Sequence, residues 1–153
     1  MSGRSPGPWP ERVTRPTPGG RAARAGAQGR GPGYLRLIGG QYRSRRLPIP
    51  DHEGLRPTPD RVRETLFNWL QPVLPGARCL DCFAGSGALG LEAASRGAAQ
   101  VVMLERVGPV VRQLEANVRT LGATQVQVLG ADALTWLAGP GRPFDLIFLD
   151  PPY

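Results

Sequence analysis

The feature that most constrains the fold is an alternation of apolar and amphipathic segments that begins at Arg78 and continues to Tyr153. Four segments have the length and apolar content of strands, and they are 79–83, 101–105, 126–130 and 144–150. Three others have a helical pattern, and they are 86–97, 109–121 and 133–138. Strands separated by helices form a parallel sheet with right-handed crossovers. The sequence therefore predicts an α/β, doubly wound domain over 78–153.

The segment before this domain predicts a small hairpin and one helix. Two short extended stretches flank Gly39-Gly40 within 34–49, and apolar and basic residues alternate along them, which is typical of a β-hairpin with a basic face. Thr58 is a suitable N-cap, and Pro59 suits the first helical position. The apolar residues that follow are expected on one buried helix face, and they are Val62, Leu66, Trp69 and Leu70.

Composition divides the chain into three parts. Residues 1–33 contain eight glycines and six prolines with few large apolar side chains, which predicts a disordered tail. All 19 basic residues are arginines. Residues 1–33 carry six arginines and one acid, residues 34–77 carry seven and four, and residues 78–153 carry six and seven. A basic front half before a nearly neutral domain indicates a polyanionic partner for the first and chemistry in the second.

Several classes of protein are disfavoured. No run of about 18 apolar residues is present to span a membrane, and the N-terminus lacks the apolar core of a secretion signal. Cys79 and Cys82 form a C-x-x-C motif, but positions three apart on a strand face opposite sides. A second pair of metal ligands is also missing from the sequence. We therefore expect two buried, reduced thiols in a cytosolic protein, with no metal and no membrane partner.

A glycine-rich turn follows the first predicted strand of the domain. Gly85, Gly87 and Gly90 fit the pattern G-x-G-x-x-G, which allows a tight turn and a close approach of a ligand to the start of a helix. Glu105 ends the second strand, where a carboxylate can accept both hydroxyls of a ribose. These features suit a dinucleotide as well as S-adenosylmethionine (SAM).

Two further carboxylates favour SAM over a dinucleotide. Asp81 lies just before the glycines, where it would repel a pyrophosphate but attract the amino group and sulfonium of SAM. Asp132 follows the third strand and can accept a hydrogen bond from an adenine amine. Its alternative interpretation is a helix N-cap.

The most specific motif is the tetrapeptide Asp150-Pro151-Pro152-Tyr153 at the end of a strand that we expect to be buried and to neighbour the first. The prolines stiffen the turn and remove backbone donors. The Asp150 carboxylate and the Pro151 carbonyl are then two acceptors for the two hydrogens of an exocyclic base amine. Tyr153 offers a flat face on which an extruded base can stack. The alternative is a polar strand end capped by a proline turn.

With these motifs in order, residues 35–153 resemble the RsmD family of bacterial 16S rRNA guanine-N2 methyltransferases. The matching runs are LRLIGGQYRSRRL, RPTPDRVRETLFNWL, DCFAGSGALGLEAASRGA, VMLE, GADAL and FDLIFLDPPY. The resemblance implies a Rossmann-like SAM-dependent methyltransferase fold. It implies cofactor-binding roles for Asp81, Phe83, Gly85, Gly87, Glu105, Asp132 and Ala133, and a catalytic role for Asp150, Pro151, Pro152 and Tyr153.

The resemblance also implies a substrate: one guanine of the 16S rRNA, in the small ribosomal subunit or an assembly intermediate, in the cytoplasm. The arginines expected to contact RNA phosphates are Arg36, Arg43, Arg45, Arg46 and Arg56. We expect a monomer, and His52 is assigned no chemistry. Relatives continue beyond the catalytic tetrapeptide, so a truncated chain with an apolar edge strand is expected.

Three alternatives remain. The D-P-P-Y motif also resembles that of DNA adenine methyltransferases. A basic hairpin and tail could belong to a non-catalytic RNA-binding fragment, and failure to bind SAM would favour this class. An NAD-dependent oxidoreductase is the third, and both Asp81 and the D-P-P-Y motif argue against it.

Overall fold

The computed structural model describes residues 33–50, 52, 55 and 58–152. Its strands are β1 (Tyr34–Arg36), β2 (Arg46–Pro48), β3 (Arg78–Asp81), β4 (Gln100–Glu105), β5 (Val126–Gly130) and β6 (Leu146–Phe148). Its helices are α1 (Asp60–Leu70), α2 (Ala88–Ser95), α3 (Gly108–Leu121) and α4 (Ala133–Ala138). No helix among these residues is long and apolar enough to cross a membrane.

Four strands form one parallel sheet in the order β5-β4-β3-β6. The predicted doubly wound α/β architecture is thereby confirmed, and so is the expectation that the last strand pairs with the first. Asp81, at the end of β3, lies opposite Met103 of β4 and Phe148 of β6. Because all four strands run in the same direction, their carboxyl ends share one edge of the sheet.

The two faces of the sheet carry separate apolar clusters. The larger cluster joins β3 and β4 to α2 and α3 and includes Cys79. The smaller one includes Cys82 and the Ala133 end of α4. Both cysteines are free and buried, and their membership of different clusters confirms that they face opposite sides of the sheet. Burial raises the pKa of the Cys79 thiol to about 11 and also raises that of Cys82, so both thiols are protonated at neutral pH.

The predicted hairpin is present. β1 and β2 pair antiparallel, with Leu35 opposite Leu47. Both leucines are buried in the larger apolar cluster, so the hairpin is part of the core and not an appendage. The arginines of β1 and β2 point away from that core and are exposed.

The predicted buried face of α1 is wrong in two of its four residues. Val62 is 55% exposed and Trp69 is 75% exposed, whereas Leu66 and Leu70 are partly buried against the core. The residues buried from α1 are Arg63 and Phe67. Phe67 packs against Phe148 of β6, with ring centroids 5.7 Å apart.

The start of α1 also differs from the prediction. The N-cap is Pro59 and the helix begins at Asp60, with no side-chain cap hydrogen bond among the described residues. Thr58 therefore lies one residue before the cap. The backbone N–H of Arg63 donates to the Pro59 carbonyl and closes the first turn.

The last predicted strand is shorter and less buried than expected. Regular pairing covers Leu146–Phe148 only, at the edge of the sheet. Ile147 is 52% exposed and Leu149 is 65% exposed, which corrects the expectation of a buried strand. The strand lies at the edge of the described sheet, but with three residues it is not the long apolar edge that we expected.

Candidate functional site

A cavity of about 940 Å³ opens at the carboxyl edge of the parallel sheet. Its walls come from the ends of β3, β4 and β5, from the starts of α2 and α4, and from the chain after β6. Nine of the eleven residues predicted for cofactor binding and catalysis line it, and they are Asp81, Phe83, Gly85, Glu105, Asp132, Ala133, Asp150, Pro151 and Pro152. The volume suits a ligand of nucleoside size or somewhat larger.

The two predicted residues that remain are Gly87 and Tyr153. Tyr153 lies outside the described residues. Gly87 is the N-cap of α2 and has a φ of 86°, which favours glycine. A Cβ on Gly87 would come within 2.9 Å of both Leu91 and Leu114, so this glycine allows α2 to approach α3 behind the cavity. Its role toward a cofactor stays a prediction.

The turn before α2 needs glycine at a second position. Gly85 has a φ of 54° and lines the cavity. A Cβ there would lie 3.0 Å from Leu55, which also lines the cavity from the segment before α1. The glycine-rich turn and Leu55 therefore approach each other closely at the cavity.

Asp81 is a buried carboxyl group with one oxygen that is not hydrogen-bonded. Its side chain is 1% exposed, and Oδ2 accepts the backbone N–H of Gly90 at 3.1 Å. Oδ1 has no hydrogen-bond partner among the described residues. Burial raises the pKa of Asp81 to about 7; the N–H groups of Gly90 and Phe83 oppose this rise, and the charges of Asp150 and Glu105 add to it. A cation bound at this position would relieve the energetic cost of the ionised form.

Glu105 is held by two backbone donors. Oε1 accepts the N–H of Gly85 at 3.1 Å, and Oε2 accepts the N–H of Val107 at 2.9 Å. A carboxylate oxygen can accept more than one hydrogen bond. Each oxygen of Glu105 can therefore also accept a hydrogen bond from a hydroxyl group of a ligand in the cavity.

Asp132 caps α4, as its alternative interpretation required. Its Oδ2 accepts both the N–H and the hydroxyl of Thr135 at 3.0 Å. The hydrogen bond from the backbone of Thr135 is the main reason that the pKa of Asp132 is lowered, so the group is ionised at neutral pH. Asp132 and Ala133 also line the cavity, so the cap and a contact with a ligand are compatible.

The segment after β6 lines the cavity with Asp150, Pro151 and Pro152. Because β6 and β5 are the two outer strands of the sheet, this segment and Asp132, which follows β5, lie at opposite ends of the strand order. The N–H of Cys82 donates to the Phe148 carbonyl at 3.1 Å, which extends the β3–β6 pairing to the point where both chains enter the cavity. Asp150 and the two prolines are exposed. The Asp150 carboxylate and the Pro151 carbonyl are therefore available to hydrogen-bond donors.

Four of the five predicted RNA-binding arginines belong to the hairpin and its turn, and all four are exposed. Arg36 forms an ion pair with Asp60 at 3.3 Å. Arg45 donates to the Thr120 carbonyl at the end of α3, and Arg46 stacks over Tyr34. Arg43 is exposed. Arg56 lies outside the described residues. Within the described part of the chain the other four lie outside the cavity lining, so their contact with RNA stays a prediction.

Sequence reasoning missed several lining residues. Those to which we had assigned no binding or catalytic role include His52, Leu55, Thr58, Pro59, Arg106 and Leu134. Arg106 and Leu134 directly follow predicted site residues, so adjacency was a usable signal. The segment before α1 gave no local signal, because only the tertiary fold brings it to the sheet edge. Among the described residues, no group of three or more His, Cys, Asp or Glu side chains could hold a metal ion.

The family model described as "Conserved hypothetical protein 95" matches residues 35–153. Ribosomal RNA small subunit methyltransferase D of Escherichia coli K12 is 56% identical over 123 residues, which cover 80% of this chain and 62% of that protein. The protein of the same name from Haemophilus influenzae is 50% identical over 125 residues, or 79% of this chain and 65% of that protein. The chain thus spans less than two thirds of the length of these relatives.

A solved structure shows the same relationship in three dimensions. A putative methyltransferase from Escherichia coli matches with a TM-score of 0.74 and 53% identity, over 79% of this chain and 65% of that one. The fold class predicted from the sequence, a Rossmann-like methyltransferase fold, is therefore confirmed for the part that is present. Both the family model and this likeness place the chain in the RsmD family, the conserved hypothetical protein 95 family.

Proposed function

We propose that this chain carries the SAM site and the catalytic Asp-Pro-Pro-Tyr motif of a methyltransferase that modifies the exocyclic N2 amine of a guanine in 16S rRNA. The observation that carries the proposal is the convergence of Asp81, Glu105 and Asp150 on one cavity. Relatives named ribosomal RNA small subunit methyltransferase D support the class of RNA.

The donor set of the cavity fits SAM better than a dinucleotide. The unpaired Oδ1 of Asp81 suits the cationic amino group of SAM, and Glu105 suits the two ribose hydroxyls. Asp132 and Ala133 would lie on the adenine side. Four carboxyl groups line the cavity, those of Asp81, Glu105, Asp132 and Asp150, and in their ionised form they would repel a pyrophosphate. When bound, SAM supplies an electrophilic methyl group on its sulfonium.

Asp150 and Pro151 would act on the amine that receives the methyl group. The lone pair of an exocyclic guanine amine is delocalised into the ring, so the nitrogen is a poor nucleophile. Two acceptors, one a carboxylate and one a carbonyl, would hold both amine hydrogens and orient the nitrogen toward the cofactor. Pro151 and Pro152 provide no N–H groups that could compete with the amine for these acceptors. Tyr153 would stack on the base.

The proposed partner is 16S rRNA in the small ribosomal subunit or in an assembly intermediate, with the protein as a cytoplasmic monomer. The hairpin arginines, with Arg56, would contact phosphates next to the target base. The exposure of the four described arginines, Arg36, Arg43, Arg45 and Arg46, supports this proposal.

The first test is calorimetric titration of the chain with SAM, with NAD as a counter-ligand. Micromolar SAM affinity without NAD binding is the expected result. The chain is then incubated with SAM and with 16S rRNA that lacks the modification, and the RNA is digested to nucleosides for mass spectrometry. N2-methylguanosine supports the proposal, and N6-methyladenosine would instead favour the adenine-specific alternative. RNA binding without SAM binding would favour a non-catalytic RNA-binding fragment.

A further inference from the structure

The turn between β1 and β2, residues 37–45, is fastened to the second half of α2. The carboxylate of Glu92 is fully buried and accepts the backbone N–H groups of Ile38 and Gly39, each at 2.9 Å. These two bonds are charge-assisted and use both carboxylate oxygens. The turn therefore cannot leave α2 without exposing or unpairing a buried charge.

Ser95, one helical turn further along α2, adds a second attachment. Its hydroxyl accepts the N–H of Tyr42 at 2.9 Å and donates to the Gly39 carbonyl. Its own carbonyl accepts the N–H of Gln41 at 2.7 Å. Backbone groups of Ile38, Gly39, Gln41 and Tyr42 are thus hydrogen-bonded by two residues of α2, Glu92 and Ser95.

The charge on Glu92 is balanced inside the protein. Arg96 donates to Oε2 at 2.8 Å, and Arg63 of α1 lies 3.5 Å from Oε1. Arg63 is 1% exposed and also donates to Asp60 and to the Arg36 carbonyl of β1. The cluster therefore fixes the hairpin and α1 together on α2.

The opposite end of α2 is part of the candidate cofactor site. The helix begins after the glycine-rich turn, and Ala88 lines the cavity. Since α2 has eight residues, its two ends are separated by about 11 Å at the usual rise of an α-helix. One short, rigid helix thus carries the candidate cofactor turn at its start and the arginine-bearing turn at its end.

We propose that Glu92 and Ser95 are positioning residues for RNA recognition. They hold residues 37–45, and with them Arg43 and Arg45, at a fixed place relative to the cavity. RNA phosphates then meet arginines whose location is set before binding, which reduces the ordering cost of association. This inference rests on the proposed function, because it concerns how RNA is presented to the same cavity.

Gly40→Ala tests the proposal without removing a charged side chain of the cluster. Gly40 has a φ of +77°, and a Cβ there would overlap the Ser95 carbonyl oxygen and displace the turn. Gly76→Ala is the matched control, because Gly76 has a φ of +79° with nothing within 4 Å of the added Cβ. Both variants carry the same backbone strain, and only the first moves the turn.

The measurements are affinity for 16S rRNA transcribed in vitro, its salt dependence, and SAM affinity. We expect Gly40→Ala to bind this RNA about tenfold more weakly than Gly76→Ala, with a smaller salt slope, while both variants bind SAM equally. Ser95→Ala, which keeps the Glu92 cluster, is expected to weaken RNA binding in the same direction. Its Tyr42 amide should also exchange faster with deuterium.

Equal RNA affinities of Gly40→Ala and Gly76→Ala would overturn the positioning role. The same conclusion would follow if the Tyr42 amide of Ser95→Ala exchanged faster while the RNA affinity of this variant was unchanged. If the unaltered chain binds this RNA and the variants do not differ, only the positioning role fails. If the unaltered chain binds no RNA, the proposed RNA substrate itself fails.

Discussion

Oε1 of Glu105 accepts a hydrogen bond from the backbone N–H of Gly85 at 3.1 Å, which joins the end of β4 to the turn that follows β3. The other oxygen accepts the N–H of Val107 at 2.9 Å. The carboxylate is therefore oriented by the backbone before a ligand enters. A ligand with two adjacent hydroxyls meets an acceptor that needs no rearrangement, which is the structural basis for the first prediction.

Glu105→Gln is expected to weaken SAM binding by about 10- to 100-fold, the effect of losing a hydrogen bond to a charged group. The amide has one acceptor oxygen, so it cannot accept from both Gly85 and Val107 and also from two hydroxyls. Calorimetry measures the affinity. Glu115→Gln, an exposed acid on α3, is the control and should bind normally. Normal SAM affinity in Glu105→Gln would remove Glu105 from the cofactor site.

Asp150→Asn is expected to reduce methyl transfer by about 100-fold or more, because an oriented acceptor for the amine is replaced by a group that can also donate. SAM affinity should stay within about threefold, a free-energy change below 1 kcal/mol. Single-turnover transfer from labelled SAM and calorimetry measure the two quantities. Loss of SAM binding in this variant would assign Asp150 to the cofactor instead.

The raised pKa of Asp81 predicts that the free energy of unfolding depends on pH. Its pKa is about 7 in the folded protein, against an ordinary value of 3.8, because of burial. Between these values the unfolded chain releases the proton first, so the free energy of unfolding falls as pH rises from about 4 to 7, by roughly 1.4 kcal/mol per unit at most. Urea unfolding at several pH values measures it. Asp81→Asn should lack this loss, and parallel pH profiles for the two proteins would contradict the prediction.

Gly90→Ala is expected to destabilise the fold by about 1–3 kcal/mol through overpacking. The added Cβ would lie 2.5 Å from Sδ and 2.8 Å from Cγ of the buried Met103. This cost exceeds the gain of about 1 kcal/mol for alanine over glycine in a helix. Gly130→Ala is the control, since its Cβ would make only ordinary contacts with Val111. Equal urea midpoints for both variants would show that α2 can move away from β4.

Replacing Arg43, Arg45 and Arg46 with alanine is expected to weaken RNA binding and to reduce the slope of log affinity against log salt by about 2–3, one counterion for each lost phosphate contact. Arg112→Ala, an exposed arginine on α3, is the control for the loss of positive charge. Affinities measured over a range of salt concentrations decide the outcome. An unchanged slope would remove the hairpin from the RNA interface.

Local pattern determined the type and order of the elements in the α/β domain. The predicted segments 126–130 and 133–138 have the observed bounds of β5 and α4, because short strands and helices between strong turn residues leave little freedom at their ends. The gathering of Asp81, Glu105 and Asp150 was also predictable, because parallel strands bring their carboxyl ends to one edge.

Tertiary structure alone decided which side of α1 is buried and what fills the space beneath the hairpin. Periodicity shows only where apolar residues recur within one segment. The burial of Arg63 depends on another segment, because Glu92 of α2 lies 3.5 Å away and pairs with it. Trp69 is exposed for the converse reason: no described element packs over that side of the helix. The sequence by itself thus determined the elements, their order along the chain, the pairing of the last strand with the first, and the acids of the candidate site. Pairing between residues distant in sequence decided the rest, because a charge is buried only where another part of the chain can balance it.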